Sequence, residues 1–368
     1  MRVESASLPH FVTEKRAGQG EDGDPIARNF SDVGDVVAVF DGMGGAGATQ
    51  VPVDLTYSKA DGKCSMAYLA SRAARHAVVG VIGQFGKSNL GDIKHRLEEA
   101  ITKKLKDLAE RPGGRGAEPR IRGTILSEYP TTVAIGIVRP STGEFEDRCV
   151  TVYWAGDSRV YAILPNELVP LQLLTIDHTP PGGGGDAALQ RFASSSDVNL
   201  DEREYILPPG AAVIAMTDGC YGYMTPFQLM FVLIKRLQVS RNCEEWISAV
   251  QDDIVAVAGD DASFAISFGV GGFDALKEQT ATIFDNLVPL VFAPEKPEPN
   301  PFIVLHDKRK YEEFFLASEA KRQLTALGVI VPNLDVAHGD TSVSLSVVEL
   351  PSSFDVATVS DITKSPEV

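Results

Sequence analysis

Apolar residues along this chain gather in short runs that stop at an acid. Val36-Val37-Ala38-Val39-Phe40 ends at Asp41, and Val150-Thr151-Val152-Tyr153-Trp154-Ala155 runs into Gly156-Asp157-Ser158-Arg159. Ala211-Ala212-Val213-Ile214-Ala215-Met216-Thr217 runs into Asp218-Gly219, while in a reversed case Asp260-Asp261 precedes Phe264-Ala265-Ile266-Ser267-Phe268. Runs this short, Val-rich and without strict alternation predict strands with both faces dry, as in a sandwich or a covered sheet.

Helical periods lie between these runs. Cys64 to Phe85 is Ala-rich with apolar positions nearly all round, which predicts a buried helix. Leu90, Ile93, Leu97, Ile101, Leu105 and Leu108 recur at three- and four-residue steps with charges between them, the pattern of an amphipathic helix lying on a sheet. Thr131 to Val138 and Arg148 to Ile163 read as antiparallel strands, joined by the turn at Pro140-Ser141-Thr142-Gly143. The polar stretch from Asp186 to Pro209 is expected to be a flap or connection. Two further helices, Phe227 to Leu237 and Glu244 to Val257, precede the strand after Asp260.

Beyond Gly272 the character changes. Residues 1–272 are expected to form one domain and 273–301 a connector. The connector ends in Ala293-Pro294-Glu295-Lys296-Pro297-Glu298-Pro299-Asn300-Pro301, a stiff spacer. Residues 302–350 read as a strand-helix-strand appendix and 351–368 as a frayed tail.

Charge narrows the partners. A formal net charge of −16 argues against nucleic acid and anionic membrane, which are bound by excess Lys and Arg. Proteins or small molecules are expected instead. Cys64, Cys149, Cys220 and Cys243 are widely spaced and form no CxxC pair, so they read as reduced packing residues. With no apolar leader at Met1 to Ser5 and no run long enough to span a bilayer, a cytoplasmic location is expected.

The acids carry the chemistry. A carboxylate at the end of a buried strand is costly unless paired or bound to a cation, and no basic residue repeats beside these four. Oxygen donors without a His or Cys cluster favour Mg²⁺ or Mn²⁺ over Zn²⁺. Gly42, Gly44 and Gly45 after Asp41 let the backbone turn close to a ligand. There is no GxSxG, catalytic Cys loop, HExxH or P-loop to suggest a covalent nucleophile or a nucleotide site.

Six motifs, in order, resemble the metal-dependent Ser/Thr protein phosphatases of type 2C in their bacterial form. They are Glu21-Asp22, Val39-Phe40-Asp41-Gly42-Met43-Gly44-Gly45, Ala155-Gly156-Asp157-Ser158-Arg159, Leu174-Thr175-Ile176-Asp177-His178-Thr179, Thr217-Asp218-Gly219 and Asp260-Asp261-Ala262-Ser263. The resemblance spans residues 8 to 270. It implies an α+β fold, a four-layer α/β/β/α sandwich of two mostly antiparallel sheets, which agrees with the elements read above.

It also implies roles. Asp41 would bridge two Mn²⁺ or Mg²⁺ ions, and the Gly42 carbonyl would ligate one. Asp218 and Asp260 would complete the inner site, and Glu21 would hold the second ion directly or through water. Asp157 with Asp218 would form a weaker third site. Asp22, Asp177 and Asp261 would support these ligands, and His178 would be structural rather than a general acid. The implied reaction is hydrolysis of phosphoserine and phosphothreonine in proteins by a metal-activated water without a phosphoenzyme. Phosphorylated proteins would be the partners of a monomer.

Two departures stand out. The family commonly places an arginine four residues before the position of Glu21, where this chain has Ala17, so Arg16 is the expected phosphate contact. Met43 stands where eukaryotic members have a histidine. A second acid-hydroxyl echo at Gly339-Asp340-Thr341-Ser342 competes with Asp260, which is favoured because the two helices fill the interval after Asp218. The competing functional readings are an inactive regulatory binding module of the same fold and a small-molecule or nucleotide phosphatase with the same centre. The complete acid set favours the enzyme.

Overall fold

Strands β1 (His10–Thr13), β2 (Gly23–Phe30), β3 (Gly34–Phe40), β4 (Gln50–Pro52) and β5 (Lys63–Ser65) lead into helices α1 (Met66–Ile82) and α2 (Ile93–Glu110). Strands β6 (Val133–Pro140), β7 (Arg148–Ala155), β8 (Arg159–Ile163), β9 (Leu171–Leu173), β10 (Asp201–Leu207) and β11 (Ala212–Met216) follow. Helices α3 (Asp218–Tyr221), α4 (Pro226–Val239) and α5 (Cys243–Val255), strand β12 (Ala262–Ser267) and helix α6 (Gly272–Val291) complete the order. This computed structural model describes residues 7–291 apart from 16, 17, 19, 46, 58–61, 85–91, 115–128, 141–146, 166, 168, 169 and 180–188.

The strands form two five-stranded sheets, ordered β10-β7-β6-β3-β2 and β1-β12-β11-β8-β9, and every pairing within them is antiparallel. Strands β4 and β5 make a separate hairpin.

Alternation within β3 sets the layering. Val36, Ala38 and Phe40 share a core with Leu69, Ala73, Leu97 and Ile101 of α1 and α2. Val37 and Val39 share a second core with Val213 and Ala215 of β11, between the sheets. On the far side Ile214 and Met216 meet Leu233, Trp246 and Leu276 of α4, α5 and α6. The result is the expected α/β/β/α sandwich, and it explains why Val36–Phe40 of β3 and Ala212–Met216 of β11 carry no polar residue: a helix layer covers one face and the other sheet covers the second.

The helices start where capping chemistry allows. The Ser65 hydroxyl accepts the Tyr68 N–H at the start of α1. Thr225 and Gln228 form a reciprocal capping box ahead of Pro226 on α4, and Asn242 caps α5.

The chain differs from expectation in two places. Within the supposed flap from Asp186 to Pro209, residues Asp201–Leu207 form β10, paired along β7. As an edge strand with Glu202, Arg203, Glu204 and Ile206 exposed, it lacks the apolar signature of its neighbours. The supposed connector from 273 opens as α6. There Phe273 and Leu276 are buried, and the Phe273 ring lies 6.2 Å from both Trp246 and Phe268. The proline-rich spacer, the appendix at 302–350 with Asp340, and the tail at 351–368 lie outside the described residues.

At the end of the sandwich where β3 and β7 begin, a polar clamp joins the sheets. Arg148 of β7 donates to the Ala211 carbonyl and, at 2.6 Å, to Ser267 Oγ of β12. Ser267 donates to Asp35 Oδ2 of β3 at 2.6 Å, and Asn29 Nδ2 donates to Asp35 Oδ1 at 2.6 Å. Burial pulls the Arg148 guanidinium down to about 10, with Asp35 opposing the shift.

Candidate active site

The opposite end holds the acids. Strands β3, β7 and β11 finish there and β12 begins there, as the Val39–Ala134, Val133–Ala155 and Met216–Phe264 pairings require. Asp41 leaves β3, Asp157 follows β7, Asp218 opens α3, and Asp260 precedes β12. Each keeps some exposed surface, so this end of the sandwich, which the acids occupy, stays open to solvent.

Electrostatics ties these acids together. The Asp41 carboxyl sits well above the usual carboxylate range, first because it is desolvated and then because Asp22, Asp218, Asp157 and Asp260 repel its charge. No cation is among the causes of that shift. Desolvation also raises Glu21; Asp261 and Asp260 add to the rise, while the Ser65 hydroxyl and Arg72 oppose it. Asp22 lies beneath the opening, 3% exposed. Burial and the charges of Asp218 and Asp261 push it up to about 7, although Thr217 Oγ1 donates to Asp22 Oδ2 at 2.9 Å.

The glycines are positions of close approach. A Cβ on Gly42 would stand 2.6 Å from the carbonyl oxygens of both Ala67 and Glu21, and one on Gly44 would stand 1.9 Å from Glu21 Oε2. The turn after Asp41 is thereby pressed against Glu21 and the first turn of α1. The Asp41 carbonyl accepts from Thr132 N and from Thr131 Oγ1, each at 2.8 Å. Gly219 meets the Asp261 carbonyl, which a Cβ would approach to 1.8 Å.

Supporting residues are arranged around this ring. Asp261 accepts the backbone N–H groups of Lys15 at 2.8 Å and Glu21 at 2.6 Å, fixing the segment that carries Glu21. Asp177 receives a two-pronged bond from Arg159, at 2.9 and 2.8 Å. Arg159, 4% exposed, is thus committed to Asp177 and to the face of Tyr221, 4.2 Å away. Tyr221 in turn donates to the Asp157 carbonyl.

His178 has partners that its own sequence neighbourhood does not reveal. Gly156 N–H donates to its Nδ1 at 3.0 Å, and its Nε2 lies 2.9 Å from Asp201 of β10. Sequence reasoning also passed over Ser65, Ser71 and Thr131. Ser71 Oγ donates to the Glu21 carbonyl at 2.6 Å, and Ser65 Oγ to Glu21 Oε1. Ser65 was open to discovery as a capping residue ahead of an apolar helical period. Arg16 lies outside the described residues.

The donors fit a hard divalent cation in chemistry and charge: they are oxygens, they repel one another, and glycines keep the backbone close. Among the described residues no three His, Cys, Asp or Glu side chains already stand together as a metal-ligand group. Among those residues, too, no helix is long and apolar enough to cross a membrane.

No family model matches the chain, and no curated protein matches it. Among solved structures it is similar to the Mycobacterium tuberculosis serine/threonine phosphatase PstP/Ppp, at 14% identity and a TM-score of 0.46, over 71% of this chain and 97% of that one. It is similar to a bacterial serine phosphatase at 16% identity and a TM-score of 0.49, over 72% and 98% of the two chains. Stp1 from Staphylococcus aureus is similar at 15% identity and a TM-score of 0.46, over 73% and 96%.

Proposed function

We propose that this chain hydrolyses phosphoserine and phosphothreonine in proteins, using Mn²⁺ or Mg²⁺ held by Glu21, Asp41, the Gly42 carbonyl, Asp157, Asp218 and Asp260. The observation that carries the reading is the convergence of Asp41, Asp157, Asp218 and Asp260 at one end of the sandwich, where β3, β7 and β11 finish and β12 begins, with Glu21 pressed against the glycine turn that follows Asp41. Carboxylates crowded in this way are relieved by holding protons or by binding a cation, and oxygen donors of this kind suit a hard divalent ion. When bound, divalent cations supply Lewis acidity to an attacking water and to the phosphoryl oxygens.

The chain's own residues then have distinct tasks. Asp41 and Asp218 hold the cations, the glycine turn brings backbone to them, and Asp22 with Thr217 supports the ring from below. Arg16 binds the phosphoryl group through a planar, charge-assisted contact. The partners are phosphorylated proteins, met by a monomer in the cytoplasm.

Turnover of a small aryl phosphate, with and without Mn²⁺, tests this reading. Activity that appears with Mn²⁺ and is lost in Asp41→Asn and Asp218→Asn is the expected result. Full turnover in excess EDTA overturns the metal role. Mn²⁺ binding without turnover of any phosphoester would instead support an inactive binding module.

A further inference from the structure

The turn that carries Asp157 is held from outside by His178. Gly156 N–H donates to His178 Nδ1 at 3.0 Å, and His178 N–H returns a bond to the Gly156 carbonyl at 3.0 Å. Because Nδ1 accepts, the proton of the neutral ring sits on Nε2, which donates to Asp201 Oδ2 at 2.9 Å. The ring also stacks on Trp154, with centroids 6.2 Å apart and an interplanar angle of 11°. Gly156 itself has φ +108°, and a Cβ there would stand 2.6 Å from the Thr132 side chain. His178 thus holds the Gly156 side of the turn, while Tyr221 and Thr132 hold Asp157 and Ser158 on its other side.

We infer that His178 is a positioning residue for Asp157: through Nδ1 it fixes the turn, and through Nε2 it anchors that turn to β10. The inference rests on the reading of Asp157 as a cation ligand. Groups hydrogen-bonded to a metal ligand typically set affinity by about tenfold to a hundredfold, and His178 acts one residue further back, through Gly156, so the lower end of that range is expected. The task of His178 is to keep the Asp157 carboxylate facing Asp41, whose charge it already influences.

Two amide replacements separate the halves of the ring. His178→Asn places an oxygen where Nδ1 lies and keeps an acceptor for Gly156, whereas His178→Gln reaches toward Asp201 and abandons Gly156. Mn²⁺ binding to the full-length chain would be measured by titration calorimetry and electron paramagnetic resonance, with thermal unfolding in EDTA as a control for fold. His178→Asn, which keeps the Gly156 contact and loses only the tie to Asp201, is expected to weaken Mn²⁺ binding clearly less than His178→Gln does. His178→Gln is expected to weaken one class of Mn²⁺ site by about tenfold, with unfolding in EDTA little changed. Equal binding by the parent and both variants, or an equal defect in both variants, overturns the inference and leaves the metal reading standing. Absence of Mn²⁺ binding by the parent overturns both.

Discussion

Asp22 is buried beside Asp218 and Asp261, which raise it, and Thr217 donates to it. Its folded value, about 7, lies above the ordinary 3.8, so the folded state holds its proton more tightly than the unfolded chain does. The stabilisation this gives is complete below about pH 4 and is lost as pH rises toward 7. In EDTA the midpoint of thermal unfolding should therefore fall between pH 4 and 7 from this contribution, and saturating Mn²⁺ should reverse the fall. A metal-free midpoint that rises steadily over that range counts against it. Asp41→Asn removes one of the repelling charges. It should be more stable than the parent in EDTA while losing Mn²⁺-dependent turnover, which separates damage to the site from damage to the fold. For Arg16, replacement by Ala should raise KM for a phosphopeptide by about tenfold, the scale of one lost charge-assisted contact; an unchanged KM and kcat would make it a surface residue.

Turns and strands show where a close-approach glycine is replaceable. Gly44→Ala meets the end of the Glu21 side chain, which can swing away, whereas Gly219→Ala meets the Asp261 carbonyl, which is backbone. Gly44→Ala should fold normally and bind Mn²⁺ weakly, and Gly219→Ala should lose thermal stability as well. Calorimetry on both variants, for unfolding and for Mn²⁺, distinguishes the cases.

What the chain revealed before folding follows the same division. The Val36–Phe40 and Ala212–Met216 runs were legible because two dry faces leave no room for polar residues. β10 was not, since an edge strand with an exposed face has the composition of a loop. α6 was hidden behind the prolines that follow it, although Phe273, Leu276 and Thr280 are spaced for a helix face. The acids could be located one by one. Their mutual repulsion, and the partners of His178, depend on residues brought together by β10 and β12 and exist only in three dimensions.

Taken whole, the molecule is fastened at one end and charged at the other. Arg148→Ala would remove the link from β7 to Ser267 and the Ala211 carbonyl of the other sheet and leave Asp35 without its arginine, and should cost about 3 kcal/mol in denaturant unfolding, the scale of a half-broken buried pair. A chain ending after residue 291 should keep the described fold and its Mn²⁺ response, because α6 stays intact. One ending at 271 should unfold more readily, since Phe273 and Leu276 no longer cover Trp246. Circular dichroism melts of the two truncations would test that contrast.

The placement of the Arg148–Ser267–Asp35 clamp has a consequence for motion. Two plates clamped along one rim, and along the other tied by the Thr217–Asp22 and Asp261–Glu21 bonds against the repulsion of their acids, open most readily at the acid rim, so opening is graded along each strand rather than shared by the whole sheet. Without cations, backbone amides near Val39 and Met216 should exchange with deuterium faster than those near Asp35 and Ser267 in the same strands, and Mn²⁺ should flatten that gradient from the open rim inward.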